Sequence, residues 1–128
     1  MALESRGQSV EAASLFMQAW QIAMDDFEAS IAAHYVARHQ DSPEKALHWN
    51  QISIDRANLA SEEKVRSFYP SLYLNMGKAH EDLSHLAEAE HFYKLAEGSL
   101  AVLSDDRYGK MVRDAVHRGL ERVASKST

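Results

Sequence analysis

Three stretches of the chain carry one pattern: a small residue, a large one four positions on, and a small one three beyond that. They are Ala12/Phe16/Ala19, Ala46/Asn50/Ser53 and Ala89/Tyr93/Ala96. Ala12 and Ala46 stand 34 residues apart, and Ala46 and Ala89 stand 43 apart. Steps of four and three keep all three side chains on one face of a helix. Recurrence near 34 residues predicts helix pairs stacked on one another. The predicted fold class is therefore all-α, an antiparallel helix-pair array of about six helices with a C-terminal capping helix.

Composition agrees. The 128 residues suit one domain, and a hydrophobic fraction of 45% is enough for a core. Only two prolines and five glycines interrupt the chain, so long helices are allowed. A net charge of −5 argues against a phosphate-backbone partner, which needs basic patches. With no cysteine, disulfides, thiolate metal sites and a cysteine nucleophile are excluded. The first residues hold no apolar run of the signal-peptide kind, and no stretch approaches the ~20 apolar residues of a membrane span. The expected location is the cytoplasm.

Val10, Ala13, Phe16, Met17, Trp20, Ala23, Met24 and Phe27 form the apolar stripe of a first helix, with Ser9 at its start. Asp25-Asp26 breaks the chain, with Asp26 as the cap of a second helix running to about Gln40. Ser42-Pro43 opens a third, expected from Pro43 to about Leu59, because proline fits a first helical turn. Ser61-Glu62-Glu63-Lys64 opens the fourth segment, and Pro70 interrupts it. Either a short helix ends near Phe68 and another starts at Pro70, or one helix kinks there; an extended or kinked connection is favoured. The remaining helices are expected over Leu86–Leu103 and about Asp106–Ala124, with Ser125–Thr128 frayed. The last should bury Tyr108, Met111, Val112, Ala115, Val116, Leu120 and Val123 and expose Arg107, Lys110, Arg113, Arg118 and Arg122.

Tyr73-x2-Met76-Gly77-x2-His80 followed by Ala89-x3-Tyr93-x2-Ala96 resembles a tetratricopeptide repeat, whose pattern is W-x2-L-G-x2-Y and then A-x3-F. Gly77 and Ala89 match directly; Tyr73, Met76, His80 and Tyr93 stand for the larger residues. The resemblance implies that Gly77 lets the second helix of the pair approach and that Ala89 faces it. Residues 70–103 form the clear repeat and 27–60 a degenerate one, with His34 where glycine is usual. Residues 7–26 are half a repeat with Gly7 as its turn, and 106–124 are the cap. The run from Pro70 to Glu81 is also similar to a group of small bacterial repeat proteins without a defined biochemical activity.

In such arrays the first helix of each pair lines a concave groove. The resemblance thus places Glu28, Ile31, Tyr35, Arg38 and His39, and Leu74, Asn75, Lys78, Glu81 and Asp82, on a peptide- or protein-binding groove. Asn75 and Lys78 fit part of the carboxylate clamp known from chaperone-tail binders, but Ile31, Ala32 and Tyr35 do not, so that ligand is not expected.

Seven histidines raise the question of a metal. In His80-Glu81-x3-His85 the five-residue spacing puts the second imidazole roughly 140° round a helix from the first, unlike the four-residue spacing of a helical zinc site. A packed His80, an exposed His85 and no metal are expected. Paired acids (Asp25-Asp26, Glu62-Glu63, Glu81-Asp82, Asp105-Asp106) read mainly as caps and helix-start charges. Trp20 and Trp49 read as core. No phosphate loop, nucleophile elbow or dinucleotide fingerprint is present, and no catalytic residue and no cofactor are expected. The leading reading is a non-enzymatic module whose partner is an unknown protein or peptide, with no nucleic acid and no membrane. A second is homo-oligomerisation: the truncated first repeat exposes an apolar face unless Met1 to Arg6 cover it. A third is an enzyme whose site carries no recognisable motif.

Overall fold

A computed structural model describes residues 2–61 and 63–127, without the side chains of residues 2–9 and 64. All regular structure among these residues is helical. It comprises α1 (Ala2–Gln21), α2 (Asp26–Arg38), α3 (Pro43–Leu59), α4 (Tyr69–Asp82), α5 (Leu86–Gly98) and α6 (Arg107–Lys126), with 3-10 turns at Glu63–Phe68 and Leu100–Val102. The chain gathers into two compact units, Met1–Glu62 and Glu63–Thr128. The sequence reading treated it as one domain.

Local chemistry sets most boundaries. Ser42 accepts the Lys45 N–H at 3.2 Å and Pro43 occupies the first turn, so α3 begins and ends as expected. For α2 the cap is Asp25, not Asp26. Asp25 has extended backbone angles and accepts the Glu28 N–H at 2.8 Å, while Asp26 is already helical and pairs with Arg56 at 3.0 Å. Asp106 is likewise the cap of α6 rather than its first residue. It accepts the Gly109 N–H at 2.7 Å, and a Cβ at Gly109 would lie 2.1 Å from the Ser104 carbonyl oxygen.

Other boundaries differ from expectation. Gly7 and Ser9, read as turn and start, lie inside α1; one glycine costs a helix only about 1 kcal/mol relative to alanine. Met24 belongs to the α1–α2 connection, and Phe27 to α2, so neither is on the α1 stripe. The segment before Pro70 takes the first of the two expected forms, a short helix ending at Phe68, rather than the favoured extended or kinked connection. It is the 3-10 turn Glu63–Phe68, anchored by buried Val65, with Pro70 in the first turn of α4 where its missing N–H is harmless. Helix α5 stops at Gly98 rather than Leu103, and α6 runs on to Lys126. Glu62 and Thr128 lie outside the described residues.

In the first unit α2 is central, packing on α1 and α3. Ala29, Ala33 and Ala37 of α2 and Ala57 of α3 are buried, and their small side chains allow close helix approach. Each of Ser30 and Ser53 donates its hydroxyl to the other's backbone carbonyl at 2.8 Å, a reciprocal neutral clasp between α2 and α3. His34 is buried, and burial, helped by the Arg38 charge, pushes its pKa down to about 4. It is therefore neutral near pH 7. Trp20 and Trp49 meet edge to face at 5.4 Å, but both are only half-buried, so neither is a full core residue.

The second unit closes on Tyr93, which has no exposed surface. A Cβ at Gly77 of α4 would lie 2.7 Å from the Tyr93 ring, and one at Gly119 of α6 would lie 2.6 Å from it. Relaxed carbon contacts need about 3.5–4.0 Å. Two glycines thus let α4 and α6 come against one aromatic ring of α5. Ala89 and Ala96 are fully buried beside it, and Val112, Val116 and Val123 fill the α6 side. Tyr108 and Met111, expected in this core, are 45% and 57% exposed. They lie off the Val112–Val116–Val123 stripe that faces α5.

Because the Tyr93 ring is enclosed, Gly77→Ala and Gly119→Ala should each destabilise the protein by about 1–3 kcal/mol in urea unfolding. Gly98→Ala is the control: nothing lies within 4 Å of the added methyl, and stability should hold or rise by about 0.5–1 kcal/mol.

Candidate functional site

Helix α1 supports its unit without being sealed into it; none of its residues from Val10 to Gln21 is fully buried. Where it faces α2 it presents Ala19, and Ala23 follows just beyond its end. These side chains are too small to fill the space opposite Ile31 and Ala32. The result is an open cleft of about 550 Å³. One end is closed by Phe16, stacked on Tyr35 with ring centres 4.9 Å apart. His39 stacks on Phe16 at 5.4 Å, and the Arg38 guanidinium lies 5.9 Å from the Tyr35 ring centre. The other end is flanked by Ile22 and Met24, which are 75% and 88% exposed. The charged group of the wall is Glu28, whose carboxylate accepts the Met24 N–H at 2.7 Å and so fixes the α1–α2 connection.

Of the expected groove residues, Glu28, Ile31 and Tyr35 line this cleft, and Arg38 and His39 stand by the aromatic stack at its end. The α4 set lies in the second unit and is differently engaged. Leu74 packs against the core formed with α5 and α6. Asn75 is half-buried, and exposed Lys78 and Asp82 pair with each other at 2.6 Å. Phe16, Ala19, Ile22, Ala23 and Met24 were not among the expected site residues. Phe16, Ala23 and Met24 were read as an apolar stripe and Ala19 as part of the first triad, while Ile22 carried no reading; Ile22 and Met24 are among the most exposed apolar side chains of the described residues.

Glu81 requires a correction. It does not face a groove; its side chain is 3% exposed. Oε1 accepts the Tyr93 hydroxyl at 2.7 Å and Arg122 Nη2 at 3.0 Å, while Oε2 accepts Arg122 Nε at 2.9 Å and Lys126 Nζ at 2.7 Å. Arg122, foremost, and then Lys126 and Tyr93 hold the carboxyl down at about 2, against the opposing effect of burial. Burial, reinforced by Glu81, raises the Tyr93 hydroxyl well above its usual range. The signal was present in the sequence. Glu81 follows Gly77 by one helical turn, so it shares the face already assigned to packing against α5.

Among the paired acids, Asp25 and Asp106 cap helices, and Glu63 pairs with Arg66 at 2.8 Å. His80 is half-buried and His85 exposed, as expected. Yet their Nδ1 atoms lie 3.1 Å apart. The straight-helix angle does not apply, because α4 ends at Asp82 and Ser84 turns the chain with a φ of 63°. Burial, and then His85, push the His80 pKa below its usual value, while Glu88 opposes them. Among the described residues no group of three or more His, Asp or Glu side chains is placed to hold a metal ion, and no helix is long and apolar enough to cross a membrane.

No family model, curated protein or solved structure matches the chain.

The Glu81 network has a signed pH dependence. The carboxyl ionises near 4.5 in an unfolded chain and near 2 here, so its contribution is complete above about 4.5 and is lost as pH falls toward 2. Glu81→Gln should cost about 1–3 kcal/mol at neutral pH through lost charge-assisted hydrogen bonds. It should also flatten the loss of stability across that acid window. Urea unfolding of both proteins over a pH series measures both effects.

Proposed function

We propose that this protein is a non-enzymatic binding module, and that the α1–α2 cleft receives apolar side chains of a peptide or protein partner. The carrying observation is the cleft itself, about 550 Å³, walled by aliphatic and aromatic groups with one carboxylate. Ligand pockets run roughly 300–1,000 Å³ with mostly apolar walls and few polar groups. An amphipathic helix presenting apolar residues at three- and four-residue steps is the occupant such a cleft suits. The reading includes a tetratricopeptide-like arrangement of the helices. Its support is the approach of Gly77 to Tyr93 and the burial of Ala89 and Ala96. The engagement of carboxylates in caps and ion pairs favours binding over catalysis, and the lack of cysteine suits a reducing cytoplasm.

Self-association is the second reading. It is favoured by Val10 and Leu15, 70% and 58% exposed on α1, apolar side chains that a second copy would cover. The side chains of Met1 to Arg6 lie outside the described residues.

Peptides selected from a displayed random library against the immobilised protein should carry apolar residues at helical spacing. Ile31→Asp and Tyr35→Ala should weaken their binding at least about tenfold, as expected for loss of a buried anchor of about 1.4 kcal/mol or more. Leu95→Glu, in the other unit, should leave it unchanged. Cleft variants that bind like the parent protein would remove the reading. Sedimentation equilibrium tests the second reading: a dimer should dissociate in Val10→Lys and Leu15→Glu, and a monomer at all concentrations would exclude it.

A further inference from the structure

We propose that His80 and His85 form a two-imidazole chelate for a divalent late transition-metal ion of the zinc, nickel or copper class at the α4–α5 turn. The first ground is the bite distance. Two nitrogens bound at about 2.0–2.1 Å to one ion lie about 2.9 Å apart at a right angle and about 3.4 Å apart at the tetrahedral angle. The two Nδ1 atoms, 3.1 Å apart, fall between these limits. The separation matches a chelate, and the two rings have to turn until both Nδ1 lone pairs meet at one ion.

The second ground is that the pair is held by its surroundings. The His85 N–H donates to the His80 carbonyl at 2.8 Å, and Ser84 takes the left-handed conformation that closes the turn. The His80 ring lies nearly parallel to Phe92, at 7° and 5.5 Å between centres. His85 occupies the N-cap position of α5 but makes no side-chain cap bond, so its Nδ1 is not committed to the helix terminus. Backbone and ring stacking therefore converge the two nitrogens, which lowers the ordering cost of binding.

The proton balance is simple. In the metal-free pair one Nδ1–H donates to the other Nδ1. An ion between them requires both imidazoles neutral with their protons on Nε2, a tautomer shift without net proton release from a neutral pair. Imidazole nitrogen suits zinc, copper and nickel better than calcium or magnesium. Among the described residues no third His, Asp or Glu is placed to join the pair. Water or a group from another molecule would complete the coordination, which makes this an open site.

The test is titration of the intact protein with zinc, and separately with nickel, read by imidazole nitrogen NMR and calorimetry. The His80 and His85 Nδ1 resonances should respond first and together. His80→Ala and His85→Ala should each lower affinity at least about tenfold, comparable to the loss on removing a supporting group of a metal site. Exposed His48→Ala and His117→Ala should have no effect. His85 is exposed, so its variant tests the site without loss of fold, and far-UV circular dichroism checks both. Equal response of all histidines, or unchanged binding in His85→Ala, overturns the proposal.

Discussion

The second unit depends on how a buried tyrosine hydroxyl is satisfied. Tyr93 has no exposed surface, and a phenolic O–H in that position needs a partner. The partner is Glu81, itself 3% exposed. A buried carboxylate is costly unless paired, so the solution calls for cations. Arg122 and Lys126 of α6 supply them while keeping their side chains 43% and 49% exposed. Only one charge is thus strongly desolvated, and it receives four hydrogen bonds, three of them from cations. None of this is possible unless α6 comes against the ring, which Gly119 permits. Glycine, tyrosine, glutamate and arginine form one dependency running from backbone clearance to electrostatics.

The first unit solves the same packing problem without a buried ion pair among its described residues; Asp26 and Arg56 pair at its surface. Asn50 stands in the second triad where Tyr93 stands in the third, and its buried Oδ1 has no hydrogen-bond partner among the described residues. The Ser30–Ser53 clasp holds α2 to α3, but among the described residues no such reciprocal clasp joins α1 to its neighbours, and its described side chains are at most half-buried. A helix held mainly by partial apolar contact is the element expected to open first.

What could be read from the sequence was local or steric. Ser42-Pro43 carries its own capping chemistry, so α3 was legible to the residue. Gly77, Ala89 and Ala96 were legible because a small–large–small triad encodes helix approach. Glu81 was missed because its partners lie 12, 41 and 45 residues away, although its position one turn after Gly77 already pointed inward. Gly119 was missed because it lies beyond the repeated triads. The cleft was missed because hydrophobic periodicity marks which face is apolar but not whether a neighbour covers it. Phe16 and Met24 are equally apolar in the pattern, yet one is half-buried and the other 88% exposed.

The two candidate sites follow from opposite kinds of incompleteness. The cleft exists where side chains are too small to fill a space, so its character is set by area and shape. The histidine pair exists where a backbone turn overrides the angular arithmetic of a helix, so its character is set by donor atoms. Helical periodicity would keep His80 and His85 apart; one residue with a positive φ brings their nitrogens to 3.1 Å. Turns between helices are thus the places where spacing rules fail. Polar residues flanking a positive-φ position therefore have to be judged by the geometry of the turn, not by their separation in the chain.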